Sequence, residues 1–147
     1  MANEAILKLG TPKTLEANGA SIANNALAQA DDADYGVVAD GSSYPDARFV
    51  LVGTFSVAPT ENTTLALYAR PLNIDGTADA DVPETTRPVI YIGAFVVNNV
   101  TTAQAMQLMA RDVPWEASYY VHNNGTGQTL AAGWTLKVTP CTVGPAA

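Results

Sequence analysis

Residues 101–115 read TTAQAMQLMARDVPW, and the fold class turns on them. Ala, Gln, Met and Leu are good helix formers, and Met106, Met109 and Ala110 have helical spacing. The same run also alternates, with Ala105, Gln107, Met109 and Arg111 on one side and Met106, Leu108 and Ala110 on the other, until Pro114 stops it. The strand reading is preferred, because strand patterns flank it at spacings of about 8–12 residues, the rhythm of a β-sandwich.

Outward from this run the β pattern continues. RFVLVGTFSV (48–57) sets Phe49, Leu51, Gly53, Phe55 and Val57 against Val50, Val52, Thr54 and Ser56, with Pro59 closing the strand. TTLALYARPL (63–72) alternates Leu65, Leu67 and Ala69 with Ala66, Tyr68 and Arg70. VIYIGAFVV (89–97) sets Ile90, Ile92, Ala94 and Val96 opposite Tyr91, Gly93, Phe95 and Val97, and Asn98-Asn99 ends it as a turn. ASYYVHNNGTGQ (117–128) gives a strand through Ser118, Tyr120 and His122 that enters a glycine turn, a short strand is considered over Gln128–Ala131, and GWTLKVTP (133–140) makes the last strand.

Residues 1–45 differ, holding few large apolar side chains and many Ala, Asn, Asp and Gly. SIANNALAQADDADYG (21–36) could form a short helix, but Asn24-Asn25 and the ADDAD run favour extended or irregular structure along the sandwich edge. Such a segment cannot bury enough to fold alone and is expected to lie on the core or on a partner. The division read from the sequence is an extended segment, 1–45, attached to a β-sandwich, 46–147, in a single domain.

Composition limits the function. Only 14% of residues are charged, against roughly 25% in an average soluble domain, and the net charge of −7 comes without a Lys or Arg cluster that could neutralise a run of phosphates. Direct nucleic-acid binding is not expected. The single cysteine, Cys141, has no partner for an intrachain disulfide. MANEAILKLGTPK has no apolar region behind a basic start, and nowhere do about 18 apolar residues run together, so the expectation is a soluble protein made in the cytoplasm, without membrane contact. The sequons at Asn62, Asn99 and Asn124 carry no weight without a secretory signal.

Catalytic parts are scarce. His122 is the only histidine and stands at a strand end beside Asn123 and Asn124, where the expected role is a partly exposed strand residue. There is no GxGxxG, Walker or GxSxG motif, and no acid/base pair stands out, so neither an enzyme nor a bound cofactor is expected. Trp115, Trp134, Tyr68, Tyr91, Tyr119 and Tyr120 could line a sugar-binding face, but dispersed over alternating strands they suit a core and an interface rim better.

NIDGTADADVP (73–83) makes Asp75, Asp79 and Asp81 candidate calcium ligands. Asn73 and Asp75 are spaced as in an EF-hand loop and Glu84 falls at the twelfth place from Asn73, but Gly76 arrives at the fourth place instead of the sixth and no helices flank the run. The preferred reading is an acidic loop joining two strands, opened by the Asp75-Gly76 turn and ended by Pro83 and Pro88.

LYARPLNIDGTADADVPETTRPVIYIGAFVV (67–97) and WEASYYVHNNGTGQTLAAGWTLKV (115–138) resemble the small virion proteins of tailed bacteriophages, of the cement or decoration type. LYARPL followed by an IDG turn, the IGAFVV strand, an aromatic pair before an N-x-G-T-G-Q turn and the closing GWTLKV strand carry the resemblance. It implies an all-β, antiparallel, jelly-roll-like sandwich with an extended N-terminal segment, located on the capsid surface of the virion. It also implies a dimer or trimer that binds the major capsid protein, clamping neighbouring subunits through many weak contacts. Leu7, Leu9, Thr11, Pro12, Asp75 and Asp79 are then the expected capsid or subunit contacts. The alternative is a glycan- or receptor-binding sandwich of a phage tail or fibre.

Overall fold

The computed structural model describes residues 5–32, 35–36 and 44–145. Parts of the 1–45 segment, namely 1–4, 33–34 and 37–43, lie outside the described residues, as does the end of the ADDAD run. Ten strands follow one another: β1 (Ala5–Leu9), β2 (Lys13–Gly19), β3 (Leu27–Gln29), β4 (Tyr35–Gly36), β5 (Asp46–Gly53), β6 (Thr64–Pro71), β7 (Ile90–Val96), β8 (Gln104–Ala110), β9 (Glu116–Asn124) and β10 (Trp134–Pro145). There is no helix among the described residues.

The run that decided the fold class is strand β8. Gln104, Met106 and Ala110 are buried while Ala105, Gln107 and Met109 are exposed, a period of two that a helix cannot produce.

The strands form two antiparallel sheets. One runs β1-β10-β5-β8 with β2 also on β10; the other runs β3-β9-β6-β7 with β4 also on β9. β1 and β2 occupy successive lengths of the same edge, Ala5 opposite Pro145 and Lys13 opposite Val138. β3 and β4 share β9 in the same way. With each split edge counted as one strand, eight remain, and first pairs with last, second with seventh, third with sixth, fourth with fifth. This nested pairing is one long hairpin wrapped into a sandwich, the jelly-roll arrangement. Its turn is the acidic loop between β6 and β7.

The split of the first edge has a local cause. Gly10 N–H donates to Pro140 O at 2.7 Å, continuing the β1 register. Thr11 and Pro12 then oppose Thr139 alone, a bulge placed where Pro12 has no donor to offer. Pro140 is tolerated inside β10 because its missing N–H would face this same edge.

Phe49, Leu51, Leu65, Leu67, Phe95, Tyr119, Val121, Trp134 and Leu136 fill the space between the sheets, each at most 1% exposed. Val57, placed by its alternation with this face, is instead 57% exposed, because β5 ends at Gly53 and only Phe55 still bridges to Leu130. Leu130 also bridges to Ile22, so the region read as a possible short strand supplies isolated bridges. The simple alternation read for β7 fails too. A bulge shifts the register between Leu67↔Gly93 and Tyr68↔Tyr91, which turns Tyr91 outward while Phe95 points inward.

Gly93 and Gly19 permit close approaches. A Cβ at Gly93 would collide with the Leu108 side chain, so its absence lets the edges β7 and β8 close on each other. A Cβ at Gly19 would fall inside the Trp134 indole, whose Nε1 donates to Ala20 O at 2.7 Å. Gly19→Ala is therefore expected to cost about 1–3 kcal/mol by overpacking, a fall of about 3–10 °C in Tm. Gly144→Ala, where a Cβ meets nothing nearer than 3.5 Å, should stay within about 0.5 kcal/mol of the parent. Equal melting temperatures for the two variants would contradict the packing described.

Candidate interaction surface

His122 lies on the outer face of the second sheet, between Ala66 of β6 and Leu27 of β3. It is 5% exposed, so the expectation of a partly exposed strand residue is corrected: β3 adds outside β9 and leaves His122 in an interior column. Its Nδ1 shares a 2.8 Å hydrogen bond with the Tyr68 hydroxyl, and the two rings stand 5.5 Å apart. Tyr91 meets Tyr68 edge-on at 6.3 Å, and the Tyr120 hydroxyl donates to Gln29 Oε1 at 3.0 Å. Ala66, Tyr68, Tyr120 and Leu27 form a small apolar cluster here, separate from the main core. His122 Nε2 is buried without a hydrogen bond of good geometry.

Burial lowers the His122 pKa, an effect that the nearby Asn25 main chain opposes in part. Burial, and then Tyr91, raise that of Tyr68. A histidine kept neutral in the folded chain stabilises it above its ordinary value of 6.5, and that contribution is lost as pH falls, since the unfolded chain takes the proton first. The melting temperature should thus drop more steeply from about pH 7 to about pH 5.5 in the parent than in His122→Gln. Parallel profiles would show that this imidazole does not titrate with folding.

The loop 72–89 is held by its own contacts. Leu72 and Pro83 are buried, Ala80 N–H donates to Pro71 O at 2.9 Å, and Arg70 Nε donates to Ala80 O at 2.7 Å. The three aspartates face different partners. Asp75 Oδ1 accepts the amides of Ala78 and Thr77, at 2.6 and 3.0 Å, which holds its carboxyl below the ordinary value. Asp79 accepts the Asn73 amide and lies 3.7 Å from Arg70, and Asp81 pairs with Arg87 at 3.2 Å. Glu84 also turns to Arg87, with which it closes a tight turn. No cluster of three or more His, Cys, Asp or Glu side chains suited to a metal ion occurs among the described residues. Between these carboxylates Ile74 and Val82 are 60% and 50% exposed.

The six aromatics considered for a sugar face do not share one. Trp134 and Tyr119 are in the core, Tyr68 and Tyr120 are covered, and only Trp115 and Tyr91 present much of their rings to solvent.

One group of exposed apolar side chains lies at the β1 edge. Leu7 and Leu9 of β1 are half exposed, and Val143, directly opposite Leu7, more so. Thr11 and Pro12 are exposed in the bulge that follows. Cys141, opposite Leu9, is buried with its Sγ 3.7 Å from Met109 Sδ. An open cleft of about 510 Å³, lined by Pro45, Asp46, Arg111, Asp112, Thr142 and Val143, borders this patch. Of the expected contact residues, Leu7, Leu9, Thr11 and Pro12 lie along one edge, while Asp75 and Asp79 belong to the β6–β7 loop. The exposure of Ile74 and Val82 within that loop escaped sequence reading, since the acidic residues around them drew attention to charge.

Comparison of the chain with protein-family models, with curated proteins and with solved structures returns no match. No described helix is long and apolar enough to cross a membrane.

Proposed function

We propose that the protein is a virion structural protein that decorates the outer surface of a tailed-bacteriophage head by bridging subunits of the major capsid protein. The observation that carries this reading is the β6–β7 loop. It is long, braced by Arg70 and Arg87, and displays Ile74 and Val82 among carboxylates, an adhesive surface that loses little entropy on docking. Loops of this length are usually functional or disordered, and this one makes enough internal hydrogen bonds to be held in one form. The jelly-roll order of the strands, an architecture common in capsid proteins, supports the same class, though a fold alone does not define a role. His122 Nδ1 is engaged with the Tyr68 hydroxyl, and the reading assigns it no catalytic step. The glycan-binding alternative has less support, because only Trp115 and Tyr91 of the six aromatics are open to stack on a sugar.

The test is co-sedimentation with heads that lack this protein. Purified protein should bind expanded heads, and the double change Ile74→Lys with Val82→Lys should weaken binding by about tenfold or more while leaving the melting temperature unchanged. Absence of binding to heads of every maturation state would overturn the proposal.

A further inference from the structure

Among the described residues no strand covers the outer edge of β1, and the register of that edge is fixed by its pairing with β10. Gly10 turns its N–H to Pro140, so by the antiparallel alternation Lys8 and Ile6 also turn their main-chain groups to β10, opposite Thr142 and Gly144. Ala5, Leu7 and Leu9 therefore point their N–H and C=O groups away from the sheet. Their side chains are exposed as well, which makes this short length of edge a template for another strand.

The rest of the same edge is covered. Asp32 N–H donates to Leu15 O at 2.8 Å, the Glu16 carboxylate accepts the amides of Asn18 and Asp31, and Lys13 pairs with Asp32 at 2.7 Å. Among the described residues β1 pairs with β10 alone. Lys8 is its one charged side chain, where an edge meant to repel strands would carry several.

We propose that a second copy of this chain occupies the edge, its β1 running antiparallel to the first about a two-fold axis through Leu7. Outward-facing residues must meet outward-facing residues, and this register does so over the whole strand: Leu7 meets its own symmetry mate, Ala5 meets Leu9, and Ile6 meets Lys8. Moving the axis to residue 8 would set Lys8 directly against its mate and shorten the overlap, and like charges in that position are unfavourable. The axis through Leu7 removes the open edge of both copies and joins their sheets into one continuous sheet. It also gathers Leu7, Leu9 and Val143 from each copy into a single apolar strip on the outer face. This inference stands apart from the capsid reading, since it needs only the chain itself. Together the two would give a unit carrying two β6–β7 loops, the valency a bridging protein needs.

Sedimentation equilibrium tests it without heads. The wild-type chain should shift from monomer toward dimer between about 1 and about 100 μM, since an edge of five residues buries less than the roughly 800 Å² per partner of a standard interface. Leu7→Lys, which sets two ammonium groups against each other at the axis, should remain monomeric at the same concentrations with an unchanged circular dichroism spectrum. In a Cys141→Ala background, Leu7→Cys should oxidise to a covalent dimer, because directly opposite residues of this pair type have Cα atoms about 5.5 Å apart, within disulfide reach. Lys8→Cys in that background should not, because Lys8 faces Ile6 across the axis. A wild-type chain that stays monomeric at about 100 μM, a dimer that survives Leu7→Lys, or cross-linking through residue 8 as readily as through residue 7 would each overturn the proposal.

Discussion

The pairing of the two ends of the chain is the constraint on which the rest depends. β10 is flanked by β1 and β2 on one side and by β5 on the other, so the last strand can be completed only when the first residues lie beside it. Every other pairing is nested inside this one, down to the β6–β7 loop. Such a topology defers its largest contacts to long sequence separations, which predicts slow folding relative to a helical protein of the same size. It also explains how an N-terminal segment poor in large apolar residues is held: Leu15 and Ile22 reach the core, and main-chain hydrogen bonds join the segment to β9, β10 and Leu130.

Much of the sandwich is legible from the chain, because a half-buried strand shows its two faces as a period of two. Alternation distinguishes strand from helix in 104–110 even though the residue types favour a helix, a case of tertiary context overriding propensity. Bulges are what alternation cannot reveal. The single shift in β7 puts Tyr91 on the opposite face from Gly93 and Phe95, with which it alternates in sequence, and the Thr11–Pro12 bulge splits an edge strand that otherwise reads as loop. The short strands β1 to β4 are likewise hidden, since they sit at sheet edges and bury few large side chains.

The surface was less legible than the core, for a physical reason. The acidic loop invites a search for an ion, yet its carboxylates accept local amides or pair with Arg70 and Arg87, none of which spacing in sequence could show. His122 reads as a strand-end residue until β3 is added beside β9, after which it becomes part of a covered cluster with Tyr68. Among the exposed apolar side chains, those of the braced loop and of the β1 edge stand on backbone that is hydrogen-bonded in place. In both, rigid backbone presents side chains whose burial would reward a partner.

β1 is an integral strand whose alternate main-chain groups have no strand partner among the described residues. Residue-resolved amide exchange by NMR on dilute protein tests this directly. Ile6, Lys8 and Gly10 should be protected while Leu7 and Leu9 exchange quickly, and at high concentration Leu7 and Leu9 should gain protection. Uniformly fast exchange from residue 6 to residue 10 would contradict the pairing with β10. Protection of Leu7 and Leu9 that is already complete at high dilution would contradict the open edge.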